Sequence, residues 1–141
     1  EAVNAHLAPQ PQCALGRYLA EHRLASAAID LSDGLSTDLG RLVEASGVGA
    51  RIWEELIPAP GNLREVHALG LNPLELALHG GEDYQLLFTA PARKDVQVPR
   101  RFRGLPLSRI GEITASRRTL LVGANGQERT LTPAGYDHFK K

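Results

Sequence analysis

Six residues in two short runs have the types and spacing for phosphate and metal chemistry: Asp30, Ser32, Asp33 and Asp38 in the first, Glu82 and Asp83 in the second. Asp30, Asp33 and Asp38 fall within nine residues, with the Ser32 hydroxyl between the first two. Hard divalent cations prefer oxygen ligands, and a helix N-terminus offers N–H groups to an anion. An acidic strand end opening onto a helix is therefore a place to hold Mg²⁺ and the phosphate it carries. Glu82-Asp83 stands behind Gly80-Gly81, a pair that lets backbone approach a ligand closely. Taken alone, each run also has a plainer reading: Asp and Ser are common helix caps, Asp38 is one turn into a helix where it can face solvent, and Gly-Gly-Glu-Asp can be a turn.

The elements that must position these residues follow from apolar periodicity. Ala27, Ala28, Ile29 and Leu31 read as a short buried strand. Leu35, Leu39, Leu42 and Val43 recur at i, i+4, i+7 and i+8, the stripe of an amphipathic helix. The period changes at Ser32-Asp33-Gly34, and Gly47 and Gly49 are expected to end the helix with a left-handed cap. Upstream, residues 13–23 form a helix through Leu15, Tyr18 and Leu19. Downstream come a strand through Val48, Ala50, Ile52 and Trp53, a helix over residues 62–70, and a second one capped by Asn72 with Pro73 at its first position and stopping at His79. A strand runs from Tyr84 to Thr89, another over 107–114, and a hairpin over 119–131 turns at Asn125-Gly126. Hairpins mixed with strand–helix units predict an α+β fold, a mixed β-sheet covered by helices, with residues 1–141 as one domain.

Composition narrows the function classes. The 141 residues are 43% hydrophobic and 23% charged, which fits a globular domain with a real core and neither a disordered nor a fibrous chain. No apolar run reaches the roughly 20 residues of a membrane helix and no signal-peptide pattern opens the chain, so the expected location is cytoplasmic, without a membrane partner. Cys13 has no partner for a disulfide and reads as a small buried hydrophobe. Net charge is zero, yet residues 1–92 hold 5 Lys+Arg against 12 Asp+Glu and residues 93–141 hold 11 against 4. The basic segment 93–103 reads as a solvated loop, because Phe102 alone gives no aromatic interleaving for nucleic acid. Ser32 is outside a G-x-S-x-G elbow, and His6, His22, His67, His79 and His138 lack metal-ligand spacing. His79, beside the two glycines, is the one placed near the acidic runs. The Gly-Gly-Glu-Asp run has its acids reversed relative to the Gly-Gly-Asp-Glu-Phe signature of nucleotide cyclases.

The runs AIDLSDGLSTDLGRLVEASGVGARI, LALHGGEDYQLLFTAP and RIGEIT, with the terminal GYDHF, resemble the C-terminal domain of the thiamine-monophosphate kinase family. That family belongs with aminoimidazole ribonucleotide synthetase, selenophosphate synthetase and the hydrogenase-maturation protein HypE. The likeness covers nearly the whole chain and is weakest over residues 92–104. It implies transfer of the ATP γ-phosphoryl group to thiamine phosphate, giving thiamine diphosphate. By position it implies Asp30 and Asp33 as Mg²⁺ ligands, Ser32 on the ATP phosphates, Glu82 on thiamine phosphate and Tyr136 as an aromatic surface for its rings, with Asp38 and Asp83 in supporting roles. Such chemistry needs positioning and charge neutralisation with no protein nucleophile. The resemblance further implies an N-terminal ATP-binding domain that this sequence lacks and a homodimer in the full-length enzyme. The chain is therefore expected to be a fragment or isolated domain with little or no kinase activity alone. Two alternatives stand beside this reading: a non-catalytic phosphate- or metal-binding module, and a domain of a sibling ATP-dependent synthetase.

Overall fold

The computed structural model describes residues 10–59 and 63–134. Helix α1 (Cys13–Glu21) leads into strand β1 (Ala27–Asp30), helix α2 (Leu35–Ser46) and strand β2 (Gly49–Trp53). A 3₁₀ turn, Glu54–Leu56, precedes two short helices, α3 (Leu63–Ala68) and α4 (Pro73–His79). Strand β3 (Leu86–Thr89), a second 3₁₀ segment (Ala92–Gln97) and the strands β4 (Arg101–Phe102), β5 (Leu105–Pro106), β6 (Gly111–Thr114), β7 (Thr119–Val122) and β8 (Glu128–Thr130) complete the order.

The predicted mixed sheet is present as four strands in the order β6-β2-β7-β8, with β2 parallel to β7 and the outer pairs antiparallel. It is accompanied by an antiparallel β1–β3 pair and a small β4–β5 ribbon. Helix α2 joins these layers. Its stripe Leu35, Leu39, Leu42 and Val43 is fully buried against Ala50 and Ile52 of β2, Leu121 of β7 and Leu78 of α4. Ala27, Ile29 and Leu87 pack on the same cluster and carry β1 and β3 onto it. A second cluster, Leu15, Leu19 and Leu24, seats α1 against Leu86 and Phe88 of β3, with Phe102 and Leu105 from the ribbon.

Several local expectations are met by the physics invoked for them. Gly47 adopts the left-handed conformation (φ 66°) and caps α2. Asn72 Oδ1 accepts from the N–H groups of Leu74 (2.9 Å) and Glu75 (3.4 Å), with Pro73 at the first helical position. The β7–β8 hairpin closes through Gly126 at φ 77°, and Asn125 Oδ1 accepts from the Gln127 N–H.

Others are corrected. Gly49 opens β2 and takes no part in the cap; a Cβ there would lie 2.3 Å from the Arg118 carbonyl oxygen, so glycine is required by strand contact. The strand expected over 107–114 is regular only from Gly111, although the Ile110 carbonyl still accepts from the Trp53 N–H. Cys13 is exposed, because it starts α1 on the face opposite Leu15 and Leu19. The basic segment contains a 3₁₀ turn and β4, and Phe102 packs on Tyr18 with ring centroids 5.0 Å apart. No helix among the described residues is long and apolar enough to cross a membrane.

Candidate functional site

β1 ends at Asp30, and its alternation puts Asp30 on the exposed side while Ile29 turns to the core. The chain then turns through Ser32, Asp33 and Gly34 into α2. Gly34 has φ 98°, and a Cβ on it would lie 3.0 Å from the Gly80 carbonyl oxygen and from the His79 carbonyl carbon. Only glycine suits that backbone and that approach. The turn brings Asp38, in the first turn of α2, back beneath the loop that precedes it.

Asp38 is completely buried. Its Oδ2 accepts from the backbone N–H groups of Ser32 and Asp33, both at 2.9 Å, and its Oδ1 accepts from Arg41 Nη1 at 2.8 Å. The same guanidinium nitrogen also contacts Asp33 Oδ2. Buried carboxylates persist where charge and lone pairs are satisfied, and this one has both. Asp38 is thus neither solvent-facing nor free to ligate. It is an internal anion that fixes the loop. The hydrogen bond that Arg41 donates to Asp33, opposed by some desolvation and aided by the Asp33 charge and then by Asp38, raises the Arg41 pKa above its ordinary value.

The second run lies directly across. A Cβ on Gly81 would sit 2.7 Å from the Ser32 carbonyl oxygen, so the backbones touch. The Glu82 N–H donates to that oxygen at 2.8 Å, and the Tyr84 N–H donates to the Leu31 carbonyl at 2.8 Å. Leu31 N–H in turn donates to the Gln85 carbonyl, continuing the β1–β3 pairing past its last regular pair, Asp30 with Leu86. Glu82 (φ 65°) and Tyr84 (φ 48°) both occupy the left-handed region, which costs on the order of 1 kcal/mol each and is held by these bonds. Asp83 lies between them on an exposed loop, and partial desolvation of its carboxyl by the surrounding chain raises its pKa.

The seam has a third tie. Buried Ser36 in α2 shares a hydrogen bond with His79 Nδ1 (2.8 Å), and its Oγ also accepts from the Ala134 N–H (3.4 Å). His79 Nε2 lies 3.4 Å from Glu75 Oε2. The two acidic runs expected to cooperate therefore share one seam. The backbone of Leu31 and Ser32 forms one side of it and that of Gly81, Glu82 and Tyr84 the other. Among the described residues no three His, Cys, Asp or Glu side chains are grouped closely enough to hold a metal by themselves. Tyr136 lies outside the described residues. Two surface concavities, of about 480 Å³ beside Glu54 and Arg129 and about 350 Å³ beside Gly40 and Arg117, lie elsewhere on the molecule.

Arg41 and Ser36 are the residues that sequence reasoning passed over. The i, i+3 spacing of Asp38 and Arg41 was the available signal for the first. Ser36 carried none, because its partner His79 is 43 positions away.

Residues 1–123 match the family described as AIR synthase related protein, C-terminal domain. The chain belongs to that family. Among curated relatives, the thiamine-monophosphate kinase of Escherichia coli O157:H7 is 42% identical over 139 residues, covering 97% of this chain and 42% of the relative. Among solved structures, AaThiL complexed with AMPPCP and TMP superposes with a TM-score of 0.78 at 33% identity, covering 97% of this chain and 40% of that one. The thiamine-monophosphate kinase from Stenotrophomonas maltophilia K279a gives 0.74 at 34% identity, over 90% of this chain and 39% of that one. The AIR synthase-related fold, α+β with a mixed sheet, is thus the expected one. The chain spans about two-fifths of the length of these relatives.

Proposed function

We propose that this chain is the C-terminal part of a cytoplasmic thiamine-monophosphate kinase, which transfers the ATP γ-phosphoryl group to thiamine phosphate with Mg²⁺. The supporting observation is the seam: the two runs quoted for the resemblance meet where Glu82 N–H donates to the Ser32 carbonyl. The AMPPCP and TMP of the AaThiL structure are an ATP analogue and the acceptor such a seam has to receive.

Asp30 and Asp33 would hold Mg²⁺, and the donor set suits it. Mg²⁺ characteristically takes one or two carboxylates and fills its remaining positions with water and substrate phosphates, so two acids without a third agree with that habit. The ion, when bound, neutralises phosphate charge during transfer. The chain's own residues supply position. Asp38 occupies the N–H groups of Ser32 and Asp33, which leaves the Ser32 hydroxyl as that residue's donor to an ATP phosphate. Glu82 is held rigidly by its amide and offers a carboxylate to thiamine phosphate, whose thiazolium ring is cationic. Tyr136 offers an aromatic face to the same rings. The rest of the ATP site, and a homodimer contact, belong to the N-terminal portion of the full-length enzyme in this reading.

Titrating thiamine phosphate into the chain with and without Mg²⁺ and AMPPCP tests the proposal. Binding is expected to disappear in Glu82→Ala or Tyr136→Ala, while Asp30→Ala weakens only the Mg²⁺-dependent part. Absence of binding by the unmodified chain under all conditions overturns it. Because the chain spans about two-fifths of its relatives' length, a second reading for the isolated chain is a binding module. ADP release at the rate of a full-length relative would rule that reading out.

A further inference from the structure

We propose that Arg41 is a positioning residue that competes with the divalent cation for Asp33, so that the cation binds as the guanidinium leaves Asp33 and stays on Asp38. The inference rests on the reading of Asp33 as a metal ligand.

Arg41 Nη1 touches Asp33 Oδ2 and Asp38 Oδ1, and the two contacts are unequal. The Asp38 side chain is 1% exposed, and its other oxygen is committed to two backbone N–H groups, so this carboxylate cannot move. Losing Arg41 would leave it a buried charge with no cation, which is strongly unfavourable. The Asp33 side chain is 20% exposed, and its release leaves a carboxylate that water or a cation can take. The Arg41 side chain is 54% exposed and makes both contacts through one nitrogen, so the two part when the Asp33 carboxylate, the more exposed of the pair, turns away from it. A dication seated on Asp33 beside the guanidinium would meet like charge at contact distance, so both cannot occupy the same oxygen. In the absence of metal the arginine thus holds Asp33 at the junction and keeps two neighbouring acids from repelling each other.

Removing the guanidinium should therefore tighten cation binding. For a pair partly screened by solvent the gain is on the order of fivefold to tenfold. Lysine should fall between, since an ammonium carries the charge on a strongly hydrated, more flexible head than the planar guanidinium.

The test uses Mn²⁺ alone, followed by paramagnetic broadening of the Ser32, Asp33 and Gly34 amide resonances of the 141-residue chain. Arg41→Gln should reach half-broadening at roughly five- to tenfold lower Mn²⁺ than the unmodified chain, with Arg41→Lys intermediate. The gain should vanish when Asp33→Asn is added to Arg41→Gln. A merely structural arginine would not produce a gain that depends on Asp33. An unchanged or weaker midpoint in folded Arg41→Gln, or a gain that survives Asp33→Asn, overturns the inference and leaves the metal reading standing. Failure of Mn²⁺ to broaden these amides in either protein overturns both.

Discussion

Replacing Asp38 with alanine should destabilise the fold more than its place one turn into a helix suggests. The substitution removes three charge-assisted hydrogen bonds, two from the amides of Ser32 and Asp33 and one from Arg41. A buried donor left without a partner costs about 1–3 kcal/mol, and two are created here. Water entering from the half-buried loop recovers part of this, so the net loss is about 3–5 kcal/mol, as for breaking a buried ion pair. That is a large share of the roughly 5–15 kcal/mol that holds a domain folded. Asp38→Asn keeps the shape and one acceptor oxygen but turns an NH₂ toward a cation or an amide, and should cost less, about 1–2 kcal/mol. Urea unfolding at constant m-value gives both numbers, and amide hydrogen exchange gives the local signature: Ser32 and Asp33 should lose protection in the alanine variant before the β2–β7 pair does. If Asp38→Ala costs under about 1 kcal/mol and the two amides stay protected, the internal anion is not what orders the loop.

Three other outcomes follow from neighbouring features. Gly81→Ala places a Cβ 2.7 Å from the Ser32 carbonyl oxygen and should cost about 1–3 kcal/mol and loosen thiamine phosphate binding, measured by thermal unfolding and titration. Gly70→Ala, with φ 71° and nothing within 4 Å, isolates the backbone effect and should cost about 1 kcal/mol with binding unchanged. Asp83 has its folded pKa raised above 3.8 by partial desolvation, so the folded state keeps its proton to higher pH than the unfolded chain and stability falls as pH rises through the window above 3.8. Asp83→Asn should lack that decline when denaturation midpoints are compared from acid to neutral pH.

What could be read from the sequence is what one element decides for itself. The α2 stripe, the Gly47 cap, the Asn72-Pro73 start and the Asn125-Gly126 hairpin all turned out as periodicity and local chemistry dictate. The pairing of β1 with β3, 56 or more positions apart in their register (Asp30 with Leu86), could not be read that way. Nor could the β4–β5 ribbon, whose two-residue strands are too short to show a period, or the role of Gly49, set by the carbonyl of Arg118 just before the adjacent strand β7.

The candidate site shows the same division at the level of single residues. Its acids were visible as a cluster, but their separate jobs depend on the turn at Gly34, whose φ of 98° swings the start of α2 beneath the loop. Without that turn, Asp38 would be one more helix carboxylate facing water. With it, Asp38 consumes the loop amides that would otherwise offer an anion a nest, and in the proposed reading a phosphate at Ser32 would be met by its hydroxyl and by a cation on Asp30 and Asp33. In a junction built in this way Arg41 bridges Asp33 and Asp38 and offsets one of their two charges, which lets the buried Asp38 carboxylate sit beside the core cluster of α2.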